Sequence, residues 1–95
     1  MRGVGVGPKP IARPNQATLE QLRTALASAP TVEVRTRYDH MPGDGGIFIV
    51  ERVTERDVYC TSQSGHKTCR SLADYGLIPY ESGQWNQTNW LEIIE

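Results

Sequence analysis

A symmetric stretch around Ser64-Gly65 constrains the fold of this chain more than any other sequence feature. Residues at equal distances on either side of it match each other, Gln63 with His66 and Thr61 with Thr68, and glycine supplies the positive φ angle that a two-residue hairpin turn needs. Such a turn would place Cys60 directly opposite Cys69 on the neighbouring strand. We therefore predict a tight hairpin here, which organises the middle of the chain into a β-meander.

In that register the two cysteines form a non-hydrogen-bonded pair, where opposing side chains come closest, so a disulfide between Cys60 and Cys69 is one expectation. The alternative is a pair of thiols packed as small hydrophobic side chains, which a reducing compartment favours. Strand alternation places His66 on the face opposite both cysteines, and the sequence has no Cys-x-x-Cys motif. We therefore expect no metal site and no cofactor.

The chain length indicates one domain, and the hydropathy pattern indicates no membrane helix. Its 95 residues allow a single modest core, and no apolar stretch approaches the roughly 18 residues that a membrane helix needs. The N-terminus lacks the continuous apolar segment of a signal peptide. We expect a cytoplasmic protein that does not associate with a membrane.

Charge and composition divide the chain into an arm and a folded domain. Residues 1–16 alternate glycine with small residues and contain three prolines and three basic residues but no acid, which predicts a flexible basic arm. Residues 17–95 are predicted to form the domain, and their last part, residues 72–95, holds four acids and no base. The two charged ends could serve a charged partner, but the simpler interpretation is an arm that rests on its own acidic surface.

The periodicity of the apolar residues predicts one helix followed by strands. Thr18 and Gln21 match a capping box, and leucines at helical spacing follow, so we predict a helix over residues 18–29 that Pro30 ends. From residue 31 the period is two, which predicts strands. These are expected at residues 31–38, 47–53, 58–62, 66–71 and 89–94, with a helical turn at 72–76 before the last strand. Residues 47–50 are apolar on both faces, and we expect one face to lie in the interior of the sheet and the helix to cover the second.

This order of strands, loops and helical turn resembles that of SH3-like small barrels. The resemblance implies an α+β, mainly β fold: a short N-terminal helix followed by a five-stranded SH3-like β-barrel built as a meander. The run from Gly76 to Tyr80 is similar to the Gly-x-x-Pro stretch of peptide-binding SH3 domains, but the acidic Ala-x-Tyr-x-Tyr run of those domains is missing. Polyproline binding is therefore not expected.

An aromatic, polar segment near the C-terminus is the best candidate for binding a protein. Trp85 lies in a polar loop, where it is either an exposed anchor or a lid on the core, and Tyr and Trp are favoured interface anchors. The predicted partner-binding residues are Tyr38, His40, Asp44, Tyr80 and Trp85. We expect a non-catalytic adaptor, regulator or inhibitor, of a kind found in phages and bacteria, that docks onto a larger protein.

The alternative function is nucleic-acid binding through an Arg/Tyr face of the sheet. Its candidate residues are Arg35, Arg37, Tyr59 and Arg70, which could stack bases and neutralise phosphates. Against it, the chain has a net charge of −1, whereas a dedicated nucleic-acid binder usually has a basic excess. Asp39, His40 and Cys60 form no recognisable catalytic motif, so an enzyme is not expected.

Overall fold

The computed structural model describes residues 13–39 and 45–94. These residues form one antiparallel sheet of five strands in the order β4-β3-β2-β1-β5, together with one α-helix and one 3₁₀ turn. The elements are α1 (Leu19–Ser28), β1 (Val32–Tyr38), β2 (Gly46–Val53), β3 (Asp57–Ser62), β4 (Lys67–Ser71), the 3₁₀ turn (Leu72–Tyr75) and β5 (Asn89–Ile93). The predicted α+β, mainly β class is confirmed. Among the described residues the sheet is not closed into a barrel, because β4 and β5 are left as its two edges.

The helix begins with the capping box that the sequence predicts. The Gln21 N–H donates to Thr18 Oγ1, and the Thr18 N–H donates to Gln21 Oε1, both at 3.0 Å. These two bonds satisfy amide groups that would otherwise lack acceptors in the first turn. The helix ends at Ser28, with Ala29 as its C-cap and Pro30 after it. Both predicted ends are therefore confirmed to within one residue.

One face of the sheet, called here the inner face, is buried. Strands β1, β2, β3 and β5 each contribute one side chain to this face that is no more than 2% exposed: Val34, Val50, Val58 and Leu91. Leu22 of α1 and Leu72 of the 3₁₀ turn join the same cluster and are completely buried. Because an open sheet can bury only the face that other elements cover, α1 and the 3₁₀ turn are as necessary to the core as the strands.

The other face, called the outer face, carries the polar side chains of β1. Ile47 and Ile49 of β2 lie on it, opposite Arg35 and Glu33, and both isoleucines are half-buried. The helix packs through Leu22 on the inner face. The expectation that the helix covers the second apolar face of β2 is therefore wrong.

The predicted register of the β3–β4 hairpin is wrong by one residue. Ser62 lies opposite His66, its N–H donates to the His66 carbonyl at 2.9 Å, and the loop has three residues rather than two. Gly65 closes the loop with a φ of 91° and donates its N–H to the Ser62 carbonyl at 2.9 Å. A turn of this kind, which ends on a residue with positive φ, fits the twist of a hairpin as well as a two-residue turn does.

The register decides the state of the two cysteines. Cys60 lies opposite Thr68, and Cys69 lies opposite Tyr59, so the cysteines are on different faces of the sheet. Both are free thiols, with Cys60 buried and Cys69 exposed. The expected pairing that would allow a disulfide is therefore corrected, and Cys60 packs as a small hydrophobic side chain in the core.

We expect the two thiols of the native protein to react at very different rates. Burial raises the pKa of Cys60 above its usual value, although Arg70 opposes the shift, and the core shields the sulfur from reagents. At about pH 8 an aromatic disulfide reagent should modify Cys69 at least tenfold faster than Cys60. In the Cys69→Ser variant only the slow reaction should remain. A native protein with no titratable thiol would contradict this register.

Candidate docking surface

The end of β1 and the start of β5, which carry candidate residues on either side, lie next to each other in the sheet. Tyr38, the last residue of β1, lies opposite Asn89, the first residue of β5. One residue further on, the Asp39 N–H donates to the Thr88 carbonyl at 2.8 Å. The loop after β1 and the loop before β5 therefore start from the same end of the sheet.

Arg13 holds these two loops together. Its Nη2 atom lies 2.9 Å from Asp39 Oδ1, in the loop after β1. It also donates to the Gln87 carbonyl at 2.9 Å, in the loop before β5. The guanidinium stacks over the Trp90 ring, 4.3 Å from its centroid. A single side chain thus makes an ion pair, a hydrogen bond and a cation–π contact at the base of both loops.

The structure describes the last four residues of the predicted arm. Residues 1–12 lie outside the described residues, but residues 13–16 pack against the sheet through Arg13 and run directly into α1. The Ala17 N–H donates to the Leu91 carbonyl at 2.8 Å, at the edge of β5 that faces away from β1. The ion-pair partner of Arg13 is Asp39, which does not belong to the acidic residues 72–95.

Asn86 organises the loop between the 3₁₀ turn and β5. Its side-chain oxygen accepts hydrogen bonds from the backbone N–H groups of Thr88 and Asn89, both at 2.9 Å. Its side-chain nitrogen donates to the Tyr80 hydroxyl at 3.2 Å. Asparagine favours such local turns because its short amide can replace a backbone partner. The Asn86 side chain therefore links the start of β5 to the ring of Tyr80.

Tyr80 is presented to solvent in a fixed orientation. Its N–H donates to the Gln84 carbonyl, and its carbonyl accepts from the Gly83 N–H, both at 2.8 Å. Its hydroxyl donates to Asp74 Oδ1 at 3.1 Å while it accepts from Asn86. The residue is 37% exposed and is the large hydrophobic residue that stands out as exposed in the described part of the chain. Backbone and side-chain bonds together restrict this ring before any partner binds.

A shallow hollow of about 340 Å³ lies beside Tyr80. Ile78 and Pro79 supply its apolar wall, and the ion pair between Arg56 and Glu81, 3.0 Å apart, lies at its polar side. This combination of an apolar wall and a polar rim suits the side chain of a protein partner.

Tyr75 is buried in the 3₁₀ turn that also carries Asp74. Burial raises the pKa of the Tyr75 hydroxyl, although Arg70 opposes the shift. Its neighbour Asp74 accepts the hydrogen bond from the Tyr80 hydroxyl, so this turn links the core to the ring of Tyr80.

The predicted partner-binding residues fall into three groups. Tyr38 and Tyr80 belong to the region just described, Trp85 is half-buried in the Tyr80 loop, and His40 and Asp44 lie outside the described residues. Tyr38 is half-buried, and a side chain on Gly45 would collide with its ring. We call the set of Tyr38, Asp74, Tyr80, Trp85 and Asn86 the loop-end surface.

The residues of the nucleic-acid alternative do not share one face. Arg35, Arg37 and Tyr59 point to the outer face, whereas Arg70 lies opposite Val58 and so belongs to the inner side. The expectation of one Arg/Tyr face is therefore wrong for Arg70, for the same reason as the cysteine pairing.

The outer face also carries acidic and stacking partners for its basic residues. Arg37 lies 3.9 Å from Glu92, and Arg52 stacks on Tyr59 at 4.3 Å from the ring centroid. Lys67 lies 3.8 Å from Glu51. Charges of both signs are therefore interleaved along this face.

Known proteins give no indication of what this surface binds. The chain matches no protein-family model, and neither the curated proteins nor the solved structures contain a match to it. In the part of the chain that the structure describes, no three His, Cys, Asp or Glu side chains are grouped as metal ligands would be. None of the described helices is long and apolar enough to cross a membrane.

Three residues on which this region depends carry little or no signal in the sequence. Arg13 lies in the predicted basic arm, and Asp74 and Asn86 lie in a predicted helical turn and a predicted loop. Asn86 had a local signal, because an asparagine two residues before a threonine in a polar loop is typical of a side-chain-capped turn. The contact of Arg13 with Gln87 spans 74 positions in the sequence, and no local pattern predicts a pair so far apart.

We expect Arg13→Ala to lower the free energy of unfolding by about 1–2 kcal/mol, because it removes a partly buried ion pair, a charge-assisted hydrogen bond and a cation–π contact. Chemical denaturation followed by Trp fluorescence measures the change. The matched control is Arg23→Ala, since Arg23 makes one long hydrogen bond of 3.4 Å to the Thr54 carbonyl. Equal effects of the two substitutions would contradict the role of Arg13.

We expect Asn86→Ala to cost about 2 kcal/mol of unfolding free energy, because two backbone N–H groups lose their acceptor. Asn86→Asp keeps the accepting oxygen and should recover most of that loss, while it still removes the bond donated to Tyr80. Denaturant titrations of both variants test this, with the exposed hairpin residue Gln63, as Gln63→Ala, for the control. A loss in Asn86→Asp as large as in Asn86→Ala would show that the backbone bonds are unimportant.

Proposed function

We propose that this protein is a small non-catalytic binding protein, an adaptor, regulator or inhibitor that docks onto a larger protein through its loop-end surface. The observation that carries the proposal is the exposed ring of Tyr80, held in one orientation by Asp74 and Asn86. An aromatic side chain that is already ordered loses little entropy when a partner covers it. Most of the free energy gained by burying the ring can therefore contribute to binding affinity.

The surroundings of Tyr80 support the same function. Exposed aromatic anchors are effective when less important contacts around them exclude water. The hollow beside Tyr80 and the half-buried Trp85 in the same loop offer such contacts. The ion pair between Arg56 and Glu81 lies at the rim of this hollow, and it would affect the orientation of a charged partner more than the affinity for it.

The finer assignments from the sequence belong to the same proposal. We propose that the chain has the strand connectivity of an SH3-like small barrel with the sheet left open between β4 and β5, supported by the strand order β4-β3-β2-β1-β5 and by the 3₁₀ turn between β4 and β5. We also propose that the protein is a phage or bacterial regulatory factor that acts in the cytoplasm, because its small size and mixed composition fit such a factor. Nucleic-acid binding is the less supported function, because Arg70 is separated from Arg35 and Arg37 and acids are interleaved on the outer face.

Affinity capture from native cell lysate tests the proposal. The wild-type protein should retain a stoichiometric protein partner that survives nuclease treatment. Tyr80→Ala and Trp85→Ala should each reduce its recovery at least tenfold, about 1.4 kcal/mol in binding free energy. Tyr59→Ala is the matched aromatic control on the outer face and should bind normally, with circular dichroism confirming that all variants are folded.

Two outcomes would overturn the docking proposal. One is a partner that is lost with Tyr59→Ala but kept with Tyr80→Ala. The other is recovery of nucleic acid with no protein left after nuclease treatment, which would transfer the function to the outer face.

A further inference from the structure

The ring of Tyr80 is the part of this side chain that a partner meets. Its hydroxyl donates to Asp74 Oδ1 at 3.1 Å and accepts from Asn86 Nδ2 at 3.2 Å. The polar end of the side chain is therefore engaged within the chain, while the residue remains 37% exposed. The face of an aromatic ring is electron-rich and attracts cations, so a cationic group suits this position.

Arginine is the group that covers aromatic rings elsewhere in this protein. Three rings of the described residues each have a guanidinium over them, between 4.3 and 5.5 Å from the ring centroid: Trp90 with Arg13, Tyr59 with Arg52, and Phe48 with Arg70. No arginine or lysine in the described part of the chain is stacked on Tyr80 in this way. The same contact is therefore available at Tyr80 to an arginine of another protein.

The charge beside Tyr80 also fits a cation. Asp74 is exposed, and none of the ion pairs between described residues involves it. Glu81 lines the same hollow as Tyr80, but Arg56 neutralises it at 3.0 Å. Residues 72–95 contain no lysine or arginine. The charge next to the ring that this part of the chain leaves uncompensated is therefore the carboxylate of Asp74.

We propose that the loop-end surface binds an arginine side chain of its protein partner. This inference rests on the docking function proposed above and names the chemistry of the partner. The guanidinium stacks on the face of Tyr80 and pairs with Asp74, whose carboxylate lies at the hydroxyl end of the same ring. Ile78 and Pro79, the apolar wall of the hollow, contact the methylene groups of the arginine.

The two contacts favour arginine over lysine. A planar guanidinium can stack on a ring and donate to a carboxylate at the same time, whereas the ammonium group of lysine is a compact, strongly hydrated point charge. A single cation–π contact and a single exposed ion pair are each weak. The arginine therefore determines which partner is chosen, and the rest of the interface supplies much of the affinity.

NMR titration of the ¹⁵N-labelled full chain with model peptides tests the proposal. The probe is an acetylated octapeptide of alternating glycine and arginine. In the two control peptides every arginine is replaced by citrulline, which is planar but uncharged, or by lysine. We expect weak binding, with a dissociation constant on the order of 1 mM. The arginine peptide should shift the Tyr80 amide and the Asn86 side-chain amide about threefold more than either control peptide.

A pair of charge-matched variants assigns the effect to Asp74. Asp74→Asn keeps an oxygen that can accept from the Tyr80 hydroxyl but removes the negative charge, so the arginine peptide should then shift the Tyr80 amide no more than the citrulline peptide does. Glu55→Gln removes one exposed negative charge in the turn between β2 and β3 and should leave the response at Tyr80 unchanged. Equal shifts from the arginine and citrulline peptides, or equal responses of the two variants, would overturn the proposal.

Capture from lysate separates this proposal from the docking function. A partner that is lost with Tyr80→Ala but kept in full with Asp74→Asn would support docking and contradict the arginine contact. Peptide shifts as expected, with no protein captured by the wild type, would support the arginine site and contradict docking onto a protein. Loss of the partner with Asp74→Asn, but not with Glu55→Gln, is the result that both proposals predict.

Discussion

The burial of one face of an open sheet is the constraint on which the rest of this structure depends. Val34, Val50, Val58 and Leu91 supply the apolar surface from four strands. Burying each such side chain contributes about 2 kcal/mol, but only if the face is covered. Leu22 and Leu72 cover it from the helix and the 3₁₀ turn. The helix alone, of ten residues, would be marginal in water, so helix and sheet stabilise each other.

Polar side chains then fix the loops at one end of the sheet. At the loop end, Arg13 and Asn86 satisfy backbone groups and restrict the loops, which leaves Tyr80 exposed but ordered. Within the described residues β4 and β5 are the two edges of the sheet, and the Ala17 N–H covers part of the β5 edge by donating to the Leu91 carbonyl.

The sequence predicts those parts of the fold that have local causes. The Thr18 capping box and the alternation along β1 are contained within a few residues, and both are confirmed. The hairpin register was missed because the stretch from Ser62 to His66 suits either a two- or a three-residue loop. The Arg13 contacts were missed because they join distant segments of the chain. Tyr80 could be recognised as a candidate from its type and its polar neighbours, but the partners that fix it, Asp74 and Asn86, depend on the folded chain.

The β3–β4 register is the claim that most directly links the core, the cysteines and the open edge. Two-dimensional NMR can observe it through cross-strand contacts between Hα protons, which are strong only between non-hydrogen-bonded partners, whose Cα atoms lie about 4.5 Å apart. The structure predicts strong contacts between Tyr59 and Cys69 and between Thr61 and Lys67. A strong Hα contact between Cys60 and Cys69 in place of these would contradict the account.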